Sequence, residues 1–288
     1  MAPTSDKLKL LRRQLCRDSI LDFAKIYFPQ YMTASSCSFH EEICNELKNI
    51  SDRRDSKIAI AAPRGYAKST VVTLFYAAWS ICYEKEKFIL ILSATAKQAQ
   101  TLLSDITKAL VTNTKLLEDF SDVFAKKDNV KSKWTQDEII TNNEVKVVAL
   151  GAEQDLRGLK QYQDRPTLII LDDVDSEKNT YNATSREKLF SWFIKTLLKA
   201  GAKDFNAVAV GTLLHQDSLL SRLIKPEEFP DWKKLIYRAV IRFSNDVEHW
   251  KTWSNILFSR GDLYDEECGL KAADRFFQAH KEAMLEGT

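Results

Sequence analysis

Glycine, proline, cysteine and histidine are all scarce in this sequence. Eight glycines and six prolines among 288 residues leave no room for a long flexible linker. The five cysteines are an odd number without a CxxC pair, and the four histidines do not stand at ligand-like spacing from them. This pattern argues against structural zinc and indicates a reducing compartment. No apolar run approaches the roughly 18 residues of a membrane span, and the N-terminus lacks the apolar core of a signal peptide. We therefore expect an intracellular protein with no membrane partner.

The sequence also lacks a large excess of charge of either sign, since 42 basic residues nearly balance 40 acidic ones and the net charge is +2. Any contact with nucleic acid must come from a local basic surface. Basic clusters at residues 7–13, 126–133 and 195–203 could provide one. Charge runs are more often solvated faces, so composition neither supports nor excludes DNA binding.

One short segment, APRGYAKST at residues 62–70, carries the strongest signal. It follows an apolar run at residues 58–61 and precedes the helix-like VVTLFYAAWSICY. A strand, a tight loop and a Lys-Ser pair that opens a helix form the arrangement that binds nucleotide phosphates, because loop amides and the helix N-terminus converge on the anion. Lys68 would reach the β- and γ-phosphates of ATP, and the Ser69 hydroxyl would bind Mg²⁺.

This segment departs from the usual GxxxxGK[ST] pattern. Ala62 and Ala67 occupy the two glycine positions, and Gly65 lies between them. Taken alone, the segment fits a simple strand-to-helix turn equally well. A second motif has to decide between the two interpretations.

The second motif is TLIILDDVD at residues 167–175, an apolar run that ends in paired carboxylates. Such a run fits a strand buried on both faces of a parallel sheet, and open α/β sheets bind ligands at the carboxyl ends of their strands. Asp172 would bind the Mg²⁺ that Ser69 also contacts, and Asp173 would polarise the attacking water. The alternative is a strand followed by an acidic turn, and the Lys-Ser loop upstream makes it less attractive.

Strands alternate with helices along the chain. We predict buried strands at residues 58–61, 88–93, 168–171 and 207–210, a last strand at 235–241, a hairpin at 138–150, and helices at 19–32, 39–50, 95–110, 186–199 and 270–285. This pattern predicts an α/β protein with a three-layer, mostly parallel sheet. We expect a P-loop ATPase domain at residues 1–243, whose residues 1–55 are a helical lead-in, and a small helical linker at residues 244–288.

Five segments, in order, resemble the large subunit of tailed-phage terminases, the motors that package double-stranded DNA into procapsids. They are FHEEICNEL, PRGYAKST, LSATAKQAQ, DLRGLKQYQDRPTLIILDD and VGTLLHQDSLLSRL, and they span residues 39–223. The resemblance implies a RecA-like, ASCE-type P-loop NTPase that hydrolyses ATP with Mg²⁺. The later AADRFFQAHKEAMLEG resembles the connector before the nuclease domain of such proteins. No nuclease carboxylate cluster is visible after the last strand, so we expect no nuclease activity from this chain.

The resemblance also implies roles for individual residues. Terminase phosphate loops often lack the usual glycines and commonly carry an arginine four residues before the lysine, here Arg64, whose fork can bind phosphate oxygens. Arg157 matches the position from which a terminase subunit inserts an arginine into its neighbour's ATP site, with Arg165 as the competing candidate. For either of these two, pairing with a nearby aspartate is the plain alternative. Thr212 resembles the residue of the coupling motif that senses the γ-phosphate.

The nucleotide-binding set implied in this way is the loop itself. It comprises Pro63, Arg64, Gly65, Tyr66, Ala67, Lys68, Ser69 and Thr70. The family places adenine contacts in the lead-in, where Gln30, Phe39 and His40 are candidates. The aromatic run FAKIYFPQYM is more typical of packing, and His215 of a loop or a cap.

The implied partners are those of a packaging motor. The chain would work in the host cytoplasm as a homo-oligomeric ring on the portal protein, with the small terminase subunit and double-stranded DNA. We expect DNA contacts to phosphates, because a packaging motor must accept any base sequence. The alternatives are a helicase-like or switch-type P-loop ATPase acting on nucleic acid, and a catalytically inactive structural subunit of a DNA-binding assembly.

Overall fold

A computed structural model of the chain describes residues 5–32, 37–124, 133–156, 159, 165–240, 242–259 and 269–286. The chain divides into two compact units, Met1–Tyr237 and Arg238–Thr288. Arg157, one of the arginines singled out above, lies outside the described residues, as does most of the basic cluster at residues 126–133.

A sheet of eight described strands forms the centre of the first unit. In spatial order the strands are β3 (Lys133–Trp134), β4 (Glu138–Ile140), β5 (Lys146–Gly151), β2 (Phe88–Ser93), β6 (Leu168–Asp172), β7 (Asn206–Gly211), β1 (Lys57–Ala61) and β8 (Trp232–Ile236). The pairings from β5 to β8 in this order are parallel, whereas β3, β4 and β5 pair antiparallel. The mostly parallel sheet and the hairpin are therefore confirmed.

Helices cover both faces of this sheet. In chain order they are α1 (Ser5–Arg17), α2 (Ile20–Tyr27), α3 (Ser38–Arg53), α4 (Tyr76–Cys82), α5 (Ala96–Thr112), α6 (Thr114–Asp119), α7 (Glu177–Thr180), α8 (Ala183–Trp192) and α9 (Leu219–Leu223). A 3₁₀ turn at Pro29–Tyr31 follows α2, a π-helical turn at Thr70–Phe75 leads into α4, and another at Phe193–Leu197 continues α8.

The strands are apolar on both sides because each face meets its own core. Ile58 and Ile60 of β1 pack in the core beneath α2 to α5, and Ala59 and Ala61 pack in the core beneath α8 and α9. Successive residues of a strand point to opposite faces, so a strand covered on both sides is apolar throughout. The predicted three-layer α/β architecture is confirmed.

The last strand and the first helix differ from the prediction. The strand predicted at residues 235–241 is β8, Trp232–Ile236, an edge strand in which Trp232 and Leu235 are buried while Lys233 and Ile236 are exposed. The apolar residues that follow Tyr237 are typical of a strand in sequence, but the chain leaves the sheet after Ile236. Helix α1 lies within the predicted helical lead-in, but its bounds were not predicted, because its leucines are largely exposed and alternate with charged residues.

The second unit contains α10 (Val247–Phe258) and α11 (Leu270–Leu285). The indole Nε1 of Trp250 donates a hydrogen bond to the Met284 carbonyl at 2.9 Å, and its ring lies against Phe277. The predicted helix at residues 270–285 is confirmed. None of the helices described in either unit combines the length and the apolar character needed to cross a bilayer.

Candidate functional site

Residues 62–67 join β1 to a helix that begins at Lys68, and we call them the phosphate loop after the function predicted from their sequence. Gly65 has a φ of +83°, in the left-handed region that glycine adopts without a steric penalty. Ala67 also has a positive φ of +51°, and there a Cβ costs on the order of 1 kcal/mol or more. The loop therefore makes its turn with one glycine at a non-standard position and one strained alanine.

Lys68 bridges the loop and the end of β7. Its Nζ donates hydrogen bonds to the Pro63 carbonyl at 2.9 Å and to Thr212 Oγ1 at 3.1 Å. The residue is only 6% exposed, and this burial lowers the pKa of Lys68 below its usual value although nearby carboxylates oppose the shift. The ammonium group is thus held by uncharged oxygens beside a cleft.

Asp172, at the end of β6, contacts the start of the loop's helix. Its Oδ1 accepts a hydrogen bond from the Ser69 hydroxyl at 2.8 Å, and its Oδ2 accepts one from the Thr73 hydroxyl. Asp172 is 2% exposed, and burial raises the pKa of its carboxyl to about 6 even though both hydroxyl contacts favour the charged form. Thr73 was missed in the sequence, although it lies four residues after Ser69 and hence on the same helix face.

Asp173 lies on the cleft at the end of the same strand. It is exposed, has a φ of +45°, and its Oδ1 accepts a hydrogen bond from the Thr212 amide at 3.2 Å. Gly211 allows this close approach, because a Cβ there would lie 2.9 Å from Asp173 Oδ1. Pairing of β6 with β7 therefore brings the second carboxylate next to Thr212.

These elements surround a cleft of about 800 Å³, within the range of small-molecule sites. Its lining includes Arg64, Gly65, Tyr66, Ala67, Lys68, Ser69, Thr70, Gln98, Asp173, Asp175, Ser176, Glu177, Lys178, Thr212 and Leu214. The structure thus brings most of the predicted site residues together. Gln98 and Lys178 also line the cleft, although the sequence analysis did not name them as site residues. Gln98 lies in the first turn of α5, which starts shortly after β2 and has Thr95 as its N-cap.

Comparisons with known proteins bear on this arrangement. No protein-family model matches the chain, and no curated protein matches it. Among solved structures, the large terminase of bacteriophage HK97 matches with a TM-score of 0.55 and 15% identity, over 92% of this chain and 52% of that one. The chain therefore shares the fold of the matching part of that protein. The chain spans about half the length of the HK97 protein.

Two further solved structures have a lower similarity. A DEAD box protein from Methanococcus jannaschii matches with a TM-score of 0.45 and 14% identity, over 92% of this chain and 68% of that one. The large-terminase ATPase domain of Thermus phage P74-26 matches with a TM-score of 0.42 and 12% identity, over 81% and 92%.

Of the three lead-in candidates, two contact the phosphate loop. His40 Nε2 lies 3.3 Å from the Tyr66 carbonyl, and the Phe39 ring packs edge-on against Tyr66 at 5.7 Å between centroids. Gln30 instead lines a second cleft of about 470 Å³ with residues such as Asp105 of α5. The structure therefore separates Gln30 from the other two.

The candidate arginines occupy different places. Arg64 is exposed on the cleft. Arg165 precedes β6 and lies near its N-terminal end, whereas Asp172 lies at its C-terminal end. The Nη1 of Arg165 donates a hydrogen bond to the Lys199 carbonyl at 2.8 Å. Arg165 therefore does not reach the cleft of its own chain. His215 Nδ1 accepts a hydrogen bond from the Asp217 amide at 3.0 Å, which fits a loop residue.

A third carboxylate, that of Asp175, connects the site to helix α9. Asp175 is buried and accepts hydrogen bonds from the amides of Leu219 and Leu220, at 3.0 and 2.8 Å. Burial raises the pKa of Asp175, and the two amides oppose the shift. The β6 carboxyl end is thereby attached to the first turn of α9, which follows the Thr212 loop.

Proposed function

We propose that the chain is the ATP-hydrolysing motor domain of a viral DNA-packaging terminase, which translocates double-stranded DNA into the procapsid. The observation that carries the proposal is the 2.8 Å hydrogen bond between Ser69 and Asp172 beside the buried Lys68. The fold likeness to the HK97 large terminase and the five terminase-like segments support the choice of DNA as the partner.

ATP would bind with its phosphates on the loop from Pro63 to Thr70. The amides at a helix N-terminus attract anions, and Lys68 can exchange its contacts with the Pro63 carbonyl and Thr212 for the β- and γ-phosphates. Arg64 adds a second positive charge at the rim of the cleft. The uncharged partners of Lys68 leave its charge available to the phosphates.

Ser69 and Asp172 fit a magnesium ion. A hydroxyl and a carboxylate oxygen 2.8 Å apart are the hard oxygen ligands that Mg²⁺ prefers, and Thr73 holds the other carboxylate oxygen in place. When bound, Mg²⁺ neutralises charge that develops on the β- and γ-phosphate oxygens. Asp172 would bind the cation as a carboxylate, since protonation removes that capacity.

Asp173 and Thr212 would perform the chemical step and detect it. The exposed Asp173 carboxylate can orient a water molecule towards the γ-phosphate and accept its proton. Thr212 contacts both Asp173 and Lys68. Loss of the γ-phosphate would therefore change the contacts of Thr212 with both Lys68 and Asp173. Asp175, which binds the amides at the start of α9, would transmit this change to that helix.

The proposed assembly is a ring on the portal protein, assisted by the small terminase subunit, in the host cytoplasm. In that ring Arg157 would reach the ATP of a neighbouring subunit, with Arg165 as the competing candidate. DNA contacts would be made to phosphates and not to bases.

The test is a steady-state ATPase assay with added double-stranded DNA, portal protein and small terminase subunit. We expect Mg²⁺-dependent hydrolysis that the portal and the small subunit stimulate. Unwinding of a forked duplex without this stimulation would favour the helicase-like alternative. Absence of hydrolysis under every condition would favour a structural subunit and overturn the proposal.

A further inference from the structure

Cys37 and His40 form a thiol–imidazole pair beside the phosphate loop. Cys37 is exposed and precedes α3, and its Sγ lies 3.0 Å from His40 Nδ1. The other ring nitrogen of His40, Nε2, lies 3.3 Å from the Tyr66 carbonyl oxygen. One imidazole therefore contacts both a solvent-accessible thiol and the backbone of the loop.

The Tyr66 carbonyl decides which nitrogen of His40 carries the proton. A carbonyl oxygen only accepts hydrogen bonds, so Nε2 must be the donor, and Nδ1 of the neutral ring is the acceptor that faces Cys37. The thiol consequently donates its proton towards Nδ1. This is the geometry in which an imidazole activates a thiol as a nucleophile.

Cys37 also lies at the N-terminus of a helix. Cys37 is the N-cap residue of α3, a helix of 16 residues, and the positive end of a helix dipole stabilises an anion. Glu41 in the first turn opposes this effect with a negative charge. The imidazolium that forms when His40 takes the proton is adjacent to the sulfur and compensates its charge.

We propose that Cys37 is a modification site, a thiol activated by His40 that exchanges with low-molecular-weight disulfides. In the exchange the thiol proton passes to His40 Nδ1, and the Cys37 thiolate attacks one sulfur of the disulfide. A new S–S bond to Cys37 forms, the S–S bond of the reagent breaks, and its other half leaves as a thiolate with the bonding electron pair.

Modification would also reach the nucleotide site, a consequence that rests on the proposed function. A group attached to Sγ occupies the space next to Nδ1 and displaces the His40 ring from Tyr66. The Phe39 ring, packed between Tyr66 and Tyr237, leaves little freedom on the other side. The phosphate loop would lose its contact with His40 and keep the Phe39 contact with the lead-in, and nucleotide affinity would fall.

The other described cysteines are protected from this chemistry. Cys16, Cys44 and Cys82 are buried. Burial raises the pKa of Cys16 and of Cys44 to about 12, and that of Cys82 well above its usual range. Cys268 lies outside the described residues, so the experiments are made in a Cys268→Ser background.

The first experiment measures the rate at which the folded chain reacts with 5,5′-dithiobis(2-nitrobenzoate). We expect one fast thiol that Cys37→Ser removes and that His40→Gln slows roughly tenfold, because the imidazole that accepts the thiol proton is gone. His249→Gln, which changes a histidine of the second unit, should leave the rate unchanged. A fast thiol that survives Cys37→Ser, or a rate that His40→Gln does not alter, would overturn the proposal.

A measurement without any histidine variant guards against a folding defect. In urea, Cys37 of the parent chain loses His40, and its modification should be roughly tenfold slower at the same pH than in the folded chain. The rate is followed on the peptide that contains Cys37, since the three buried cysteines also react in urea. Equal rates in the two states contradict activation. An unfolded His40→Gln chain would reveal itself, because Cys16, Cys44 and Cys82 would then react as well.

The second experiment measures the affinity for a fluorescent ATP analogue before and after modification. We expect several-fold weaker binding after modification, full recovery with dithiothreitol, and no response in Cys37→Ser. Equal affinity of the modified and unmodified chains would disprove only the effect of Cys37 modification on nucleotide binding. An unmodified chain that binds no ATP would overturn the proposed function and the coupling, whereas the labelling rates would still decide whether His40 activates Cys37.

Discussion

The Thr212 amide donates a hydrogen bond to Asp173 Oδ1 at 3.2 Å. The same residue accepts a hydrogen bond from Lys68 through its hydroxyl, at 3.1 Å. Thr212 thus lies between the cation that would bind the γ-phosphate and the carboxylate that would orient the attacking water. A change at either group has to alter the contacts of Thr212, which is what a sensor of hydrolysis requires.

Lys68→Ala should reduce ATP turnover by about 10² or more, because a positive charge in a largely buried site stabilises the transition state more than a charge in water does. The measurement is kcat with saturating Mg²⁺ and ATP. Lys281→Ala, an exposed lysine in the second unit, is the matched control and should behave like the parent. A folded Lys68→Ala chain with parental turnover would disprove the assignment of this loop.

The two adjacent carboxylates should separate in function. Asp172→Asn should weaken Mg²⁺-nucleotide binding, because it replaces a buried ligand oxygen, whereas Asp173→Asn should keep binding and lose turnover. Nucleotide affinity and kcat are measured for both variants. Indistinguishable effects of the two substitutions would show that the roles are wrongly divided.

Thr73→Val should destabilise the first unit by about 1–3 kcal/mol, because it removes a hydrogen bond to a buried carboxylate and leaves an isosteric side chain. The free energy of unfolding in urea measures the loss. Thr73→Ser keeps the hydroxyl and should recover a large part of it. If Val, which keeps the methyl group, leaves the stability unchanged while Ser lowers it, the methyl packing of Thr73 matters and its hydrogen bond does not.

Arg157 should act on the ATP of a neighbouring subunit. Specific ATPase activity should then rise with protein concentration, and Arg157→Ala should abolish the rise, since an arginine finger contributes about 10³–10⁵ in turnover. Mixing Arg157→Ala chains, which keep Lys68, with Lys68→Ala chains, which keep the finger, should restore activity. Mixtures that assemble and stay inactive would transfer the role to Arg165.

Asp119 should make the first unit sensitive to acid. Its buried carboxylate accepts hydrogen bonds from Arg12, at 2.6 and 2.5 Å, and from the Tyr27 hydroxyl at 2.8 Å. Burial alone would raise the pKa of Asp119, but these contacts outweigh it and the pKa is lowered. With a lowered folded-state pKa, the stabilisation is present above the unfolded-state value of about 3.9 and is lost as the pH falls through the folded-state value.

Asp119→Asn should therefore cost about 1.5–3 kcal/mol of unfolding free energy at pH 7 and less below pH 4, because the hydrogen bonds of Arg12 and Tyr27 then go to a neutral group and no longer to a charged one. Urea unfolding at both pH values measures the difference. Asp122→Asn is the control, since Asp122 is exposed and pairs with Arg13 at 3.3 Å; it should cost at most about 1 kcal/mol. A pH-independent effect of Asp119→Asn would contradict the ionic role.

The sequence by itself determined the parts of the site that are contiguous in the chain. A buried strand, the loop with Lys68 and Ser69, and the following helix are local features, and so is the apolar strand that ends at Asp172 and Asp173. Their hydrophobic pattern reflects burial on both faces of a sheet, which periodicity reports directly. The same reasoning extended the last strand too far, because an apolar run does not indicate where a chain leaves a sheet.

Only the tertiary structure decided which of these parts meet. β7 lies between β1 and β6, and this strand order places Thr212 against both Lys68 and Asp173. No local pattern carries that information, because pairing between distant strands depends on how the whole sheet closes its two cores. The same is true of the lead-in, where packing brings His40 to the phosphate loop and places Gln30 in another cleft. Sequence periodicity predicts which face of an element is buried, but not which distant element covers it.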